Sequence, residues 1–249
     1  MDLHPVLFWL VATLAACLVG LSKGGLPGIG VLGVPVLTLF LPPLTAAGLL
    51  LPVLVVSDMF GLYAYRHAFD KRVLAILIPA TTIGVVLGWA TAAIVPDQMV
   101  TALVGLVGVA YSLNLLLRRD TGGAARRATV GAGMFWGTVT GFTSFVSHAG
   151  GPPFQVYTMP LRLGKLSYAG TATILFAYVN AIKLIPYYAL GQLDVANLRI
   201  AAFMLLPAAL SVLVGAKLVR ILPEALFFRA VTWALLAISL KLLWDGATT

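Results

Sequence analysis

The sequence predicts an all-α polytopic membrane protein made of two inverted five-segment repeats. Three observations predict it. Hydrophobic residues make up 61% of the 249 positions and charged residues only 10%, against about 25% charged in a soluble domain. The chain divides into ten apolar segments. Its cations change sides between equivalent loops of the two halves. A single soluble core of this size would bury only roughly three quarters of its surface, too little to hide so much apolar material. A cytosolic enzyme, a nucleic-acid binder and a disordered chain are therefore excluded. The net charge of +8 fits loops that face anionic headgroups rather than nucleic acid.

Crossing the hydrocarbon layer takes about 20 apolar residues in a helix. The segments are 5–21, 25–41, 44–65, 73–94, 98–117, 129–147, 151–161, 167–190, 196–219 and 225–244. The first contains Leu14-Ala15-Ala16-Cys17, which resembles a lipoprotein cleavage box. No Lys or Arg precedes it and the chain stays apolar after Cys17, so an uncleaved helix is expected. The second segment starts inside the run Ser22-Lys23-Gly24-Gly25-Leu26-Pro27-Gly28-Ile29-Gly30 and stops at Pro42-Pro43. The third ends at Arg66; the fourth and fifth flank the cation-free turn Val95-Pro96-Asp97-Gln98. The sixth runs into a second break, Ser147-His148-Ala149-Gly150-Gly151-Pro152-Pro153. The seventh is too short for a comfortable crossing. The last three are of spanning length. None of the runs alternates with period two, so strands are excluded, and helices follow because lipid offers the backbone no partners.

The basic stretch between Arg118 and Arg127 sits near the midpoint and suggests a duplication. Residues 1–120 form the first repeat, 121–128 a cytoplasmic linker and 129–249 the second repeat. Sliding 84–117 over 211–244 without gaps gives 10 identities in 34 positions, among them Gly88/Gly215, Pro96/Pro223 and Ser112/Ser239. Five segments per half inverts the second half. The charges agree: Arg66, Lys71 and Arg72 lie opposite a cation-free Gly191-Gln192-Leu193-Asp194, and Val95–Gln98 lies opposite Lys217, Arg220 and Arg229. With both termini outside, twelve of the sixteen cations fall on the cytoplasmic side, as the positive-inside rule requires. Eight crossings, with segments 1/2 and 6/7 merged, would place five of those cations outside; ten segments are preferred. Segments 1/2 and 6/7 are either full crossings or hairpins that re-enter, and the sidedness is the same in both cases.

A charge in the bilayer costs about 2.5–3.5 kcal/mol on insertion scales and usually marks a site. Asp58 lies eight residues inside the end of segment three. Asn180 and Lys183 lie one turn apart on segment eight, on one face. Asp58 either pairs with Lys183 as a structural bridge or serves substrate or proton coupling. Lys23 and His148 sit at the two breaks. Glycine lets the backbone reverse there, and a helix that starts after such a break presents N–H groups and partial positive charge to an anion. Ser22, Lys23, Gly24, Gly25, Ser147, His148, Gly150, Gly151, Asn180 and Lys183 are therefore the candidate anion-binding residues, with Asp58 as coupling residue. Interrupted segments at matching places in two inverted halves point to a transporter site at the midplane. The plainer readings are a loop cation for Lys23 and a helix-end polar residue for His148. Gly84-x-x-x-Gly88 and Gly137-x-x-x-Gly141 read as close helix contacts.

No cofactor is expected. Gly28-x-Gly30-x-x-Gly33 follows no strand and has no acid twenty residues on, there is no phosphate-binding loop, and His4, His67 and His148 lie too far apart for a metal site. Ser22 and Ser147 have no base partner, so catalysis is not expected; a passive anion channel, or an uptake permease for another small organic anion, is the rival to an exporting carrier.

The chain resembles the sulfite exporter TauE/SafE family (toluene-sulfonate uptake permeases) over nearly its whole length. The resemblance rests on Gly24-Gly25-x-Pro27-Gly28-x-Gly30 followed by Gly33-Val34-Pro35, on Tyr65-Arg66-His67-x-x-Asp70, on Pro79-x-x-x-x-Gly84-x-x-x-Gly88, and on Gly150-Gly151-Pro152-Pro153. It implies a bacterial inner-membrane protein that moves sulfite, sulfonates or related small sulfur-containing anions. H+ or Na+ is the expected coupling ion, membrane lipids surround the protein, and a homodimer is compatible with it. The glycines and prolines of both breaks carry over from the family; Lys23 and His148 follow from position and charge.

Overall fold

A computed structural model describes residues 5–26, 29–37, 40–41, 43–91, 94–117, 125–189 and 195–248. Pro27, Gly28, Pro42, most of the 118–127 linker, the Gly191–Asp194 turn and Thr249 lie outside the described residues. The described chain is all helical. It runs α1 (Pro5–Lys23), a 3-10 turn (Ile29–Leu32), α2 (Gly33–Leu37), α3 (Pro43–Tyr65), α4 (Lys71–Thr91), α5 (Asp97–Leu117), α6 (Val130–Ser147), α7 (Gly151–Thr158), a second 3-10 turn (Met159–Leu161), α8 (Lys165–Ala189), α9 (Val195–Ile221) and α10 (Glu224–Thr248).

Among the described residues, α1, α4, α5, α8, α9 and α10 each supply a stretch long and apolar enough to cross a membrane, and α3 adds the shorter apolar stretch Leu49–Tyr65. The packing is inside-out relative to a soluble protein. Phe203 and Leu206 are 71% and 69% exposed, while Lys183 and Asp58 are 1% and 4% exposed. An apolar exterior around a charged interior is stable only where lipid replaces water. Together with the spans, it makes this a multi-pass membrane protein.

Segment two differs from the expected helix. It becomes a turn at Gly24–Leu26, a four-residue 3-10 turn and a five-residue helix. Gly30, Gly33 and Pro35 explain this, since glycine and proline are the poorest helix formers. Segment seven becomes α7, eight residues long, or about 12 Å at 1.5 Å per residue. The two breaks fall within the depth of the bundle. Gly24 lies against Gly215, six residues before the end of α9, and Gly150 packs against Ser144 and Thr140 of α6.

The helices pack in pairs: α1 on α9, α6 on α4, α5 on α10, α3 on α8, α3 on α9 and α4 on α8. Backbones come close at the α4/α6 crossing. A methyl group on Gly84 would meet the Thr138 carbonyl, one on Gly141 the Thr81 carbonyl, and one on Gly137 the Ala80 side chain. The two small-residue motifs are thus each other's partners. Gly141→Leu is expected to lower stability by about 3 kcal/mol, the upper end of overpacking costs, because the obstacle is backbone. Gly131→Leu, where nothing lies within 4 Å, should change the melting temperature in detergent little; equal effects in both would refute the crossing.

One end of the bundle gathers the cations. Lys165 donates to the Arg220 carbonyl at 2.9 Å, Arg220 donates to the Ala64 carbonyl at 3.2 Å, and the Arg126 N–H donates to the Pro160 carbonyl at 3.0 Å. Asp70 caps α4 there, accepting from the Val73 N–H at 2.9 Å while its own N–H donates to Thr171 Oγ1.

Candidate functional site

Lys23 is the last residue of α1, so its side chain leaves the helix where the chain turns inward. The turn is held by Tyr65, whose hydroxyl donates to the Gly24 carbonyl at 2.6 Å, and by Thr173, whose hydroxyl donates to the Lys23 carbonyl at 3.3 Å. Gly25 adopts φ +105° with the Tyr65 ring against it; a side chain there would be strained and would displace the tyrosine. This geometry fixes Lys23 opposite α3. Its ammonium lies 2.6 Å from Asp58 Oδ1, both side chains being buried. The other carboxylate oxygen accepts a hydrogen bond from Asn180 Nδ2 at 2.8 Å. Asp58 therefore takes Lys23, not Lys183. A buried ion pair of this kind holds only when its remaining hydrogen-bonding capacity is met, and Asn180 helps to meet it.

Lys183 sits one turn beyond Asn180. Its ammonium donates to the Ser144 carbonyl of α6 and has no ion-pair partner among the described residues. α6 ends at Ser147 and is capped by His148, which holds the left-handed conformation at φ 53°. Glycine is the usual residue there; here the left-handed turn directs the chain back into the bundle and brings an imidazole to the wall.

These groups surround one cavity of about 90 Å³. Ser22, Lys23 and Gly30 come from the first break, His148, Gly150 and Gly151 from the second, and Thr173, Phe176, Asn180 and Lys183 from one face of α8. The remaining wall is apolar, with Val19, Val34, Leu50 and Leu54. Of the sequence candidates, Gly24, Gly25, Ser147 and Asp58 are not on the wall: the two glycines shape the turn, Ser147 donates back to the Thr143 carbonyl at 3.2 Å, and Asp58 stands behind Lys23. Ser144, through its carbonyl, and Thr173 were not anticipated. Thr173, Phe176, Asn180 and Lys183 follow helical spacing, so a scan of that face of segment eight would have found Thr173. The role of Ser144 had no sequence signal.

The two breaks differ in what they offer an anion. The first leads into a 3-10 turn and the five-residue α2, too short to sum a helix dipole. The second starts α7, but Pro152 and Pro153 have no N–H and the Phe154 N–H donates to the Gly150 carbonyl at 3.3 Å. The α7 start contributes Gly150 and Gly151 amides and a partial positive charge. Lys183 is therefore the main source of positive charge not already neutralised. No group of three or more His, Cys, Asp or Glu residues converges among the described residues.

The family model described as "Sulfite exporter TauE/SafE" matches residues 12–242. The chain belongs to the sulfite exporter TauE/SafE family. The searches of curated proteins and of solved structures returned no match. Membership agrees with the multi-pass helical fold and identifies a membrane transporter family of small sulfur-containing anions. The match spans both breaks and all the helices that wall the cavity.

Proposed function

We propose that this TauE/SafE protein is a secondary transporter, of the exporter type, that carries one small sulfur oxyanion as a monoanion across the bacterial inner membrane. The observation that carries this reading is the Lys183 ammonium, buried on the cavity wall without a counter-ion among the described residues. Lys23 and Asp58 cancel, so with a neutral imidazole at His148 the wall sums to one positive charge. In a low-dielectric site the loaded state closest to neutrality is favoured. One negative charge meets that condition and two exceed it. Hydrogen sulfite or a small alkyl sulfonate fits. The cavity size narrows the class further. Benzene needs an engineered cavity of about 150 Å³, so an aryl sulfonate does not fit a cavity of about 90 Å³.

The architecture behind the reading is a pair of inverted repeats with both termini periplasmic. Exchanging each helix with the one five places on maps α1/α9 onto α6/α4, α3/α9 onto α8/α4, and α5/α10 and α3/α8 onto themselves, all of which are packed pairs. The turns after α1 and α6 inside the bundle favour hairpins that re-enter. The gathered cations favour that end as the cytoplasmic one. Access alternates as one repeat rocks on the other. Protonation of Asp58 would release Lys23 toward the cavity, which makes H+ the favoured coupling ion.

The test is uptake into proteoliposomes. Radiolabelled sulfite should accumulate saturably on an imposed gradient. Methanesulfonate should compete at least about tenfold better than p-toluenesulfonate, a difference of about 1.4 kcal/mol. Flux that never saturates would identify a channel, and equal competition by the aryl compound would refute the size argument.

A further inference from the structure

Outside the cavity and the ion pair behind it, and apart from Ser57 and Tyr168, the residues with buried polar atoms that lack a hydrogen-bond partner among the described residues lie on one seam. Gln155 of α7 is 0% exposed, and among the described residues neither its Nε2 nor its Oε1 has a hydrogen-bond partner; the buried hydroxyls of Tyr111 on α5 and Ser239 on α10 are also without one there. Such groups are rare in native proteins because each forfeits its hydration. Three residues of this kind on three neighbouring helices require a reason.

Their placement supplies one. Ser239 and Pro152 both close on Gly108 of α5. Tyr111 lies one turn beyond Gly108 and Gln155 one turn beyond Pro152, and α7 runs toward the contact between Arg126 and Pro160. Gly150 and Gly151, at the start of α7, line the cavity. Arg126 and Arg127, near its other end, line a second cavity of about 340 Å³. Val156 and Tyr157 of α7 line it as well, so along α7 only the four residues from Pro152 to Gln155 lie between the two cavities, about 8 Å from Gly151 to Val156. The feature is not shared by the other half: placing Gly24-Gly25 over Gly150-Gly151 sets Ile29 at the position of Gln155.

We propose that this seam is the passage between the transport cavity and the basic end of the bundle, with Ser239, Gln155 and Tyr111 as a transit station for the oxyanion and Arg126 as its receiving cation. The inference rests on the anion-carrier reading above. Neutral donors suit transit, since a site must bind well enough to be entered and weakly enough to be left. The Gln155 amide donates to a sulfur-bound oxygen and accepts from the O–H of hydrogen sulfite. Arg126 and Arg127 are exposed and end the path in a region of positive potential.

The experiment compares wild type, Gln155→Met, Gln155→Glu and Tyr111→Phe for equilibrium sulfite binding, sulfite flux in proteoliposomes and melting temperature in detergent. Gln155→Met should cut flux at least about tenfold, one lost transition-state interaction, with binding within about twofold of wild type and a melting temperature that holds or rises, because an unpartnered buried amide has been removed. Gln155→Glu, which adds a like charge, should cut flux further. Tyr111→Phe keeps the ring and should lower flux about threefold. Wild-type flux in both Gln155→Met and Tyr111→Phe, with binding intact, overturns the passage. Failure of the wild type to bind sulfite overturns the cavity reading instead.

Discussion

Lys183→Met is expected to weaken sulfite binding at least about 100-fold, about 2.7 kcal/mol, while leaving the protein as stable as wild type or more so. Methionine keeps a long unbranched side chain but removes the charge. Charge-assisted hydrogen bonds contribute about 1.5–3 kcal/mol, and truncating one partner of a buried charge pair costs about 2–5 kcal/mol, so the loss of affinity should be large. Stability moves the other way. The ammonium is buried at 1% exposure with a carbonyl as its partner, and a buried ion without a counter-charge carries a penalty of several kcal/mol. Removing it relieves more than the lost bond to Ser144 costs. The check is calorimetric titration with sulfite beside chemical unfolding in detergent. Unchanged binding removes Lys183 from the site. A large loss of stability makes it a structural residue.

Asp58→Leu is expected to destabilise the protein by about 3–5 kcal/mol, the usual cost of leaving one partner of a buried pair uncompensated. It strands the Lys23 ammonium and the Asn180 amide together. The double variant Lys23→Met/Asp58→Leu should recover most of the loss, because replacing both partners by apolar groups is often neutral. The interaction energy from the cycle should exceed about 2 kcal/mol, within the range for residues in contact. Additive effects would refute the pair. Asp58→Asn carries a functional corollary. It keeps the shape but leaves two positive charges on the wall, so preference should shift from hydrogen sulfite and alkyl sulfonates toward dianions such as sulfate, read as competition in the same uptake assay.

Much of the fold was legible in the residues. Apolar segments longer than a bilayer crossing have one stable outcome in lipid, so the helices and their order follow from composition and hydropathy. The breaks were legible because Gly24-Gly25 and Gly150-Gly151-Pro152-Pro153 act on their own backbone. The buried polar residues were legible because Lys23, Asp58, Asn180 and Lys183 stand out in apolar surroundings. The expectation that each break would present a helix end was less secure. After the first break the chain is rich in glycine, and its conformation is set by the neighbours it folds against. A 3-10 turn and five helical residues result.

The sequence by itself determined the class of protein, the family, the two break points and the short set of charges held away from water. All of these follow from local chemistry, from solvation and from the residues next along the chain. Only the tertiary structure decided that Asp58 takes Lys23 while Lys183 meets the Ser144 carbonyl, that Gly84 and Gly141 share one crossing, that the cavity measures about 90 Å³, and that Gln155 meets no partner among the described residues. Each depends on the distance between helices far apart in sequence. Side-chain pairing and cavity volume depend on those distances at the scale of a single ångström, and a linear pattern of polar and apolar residues does not encode them.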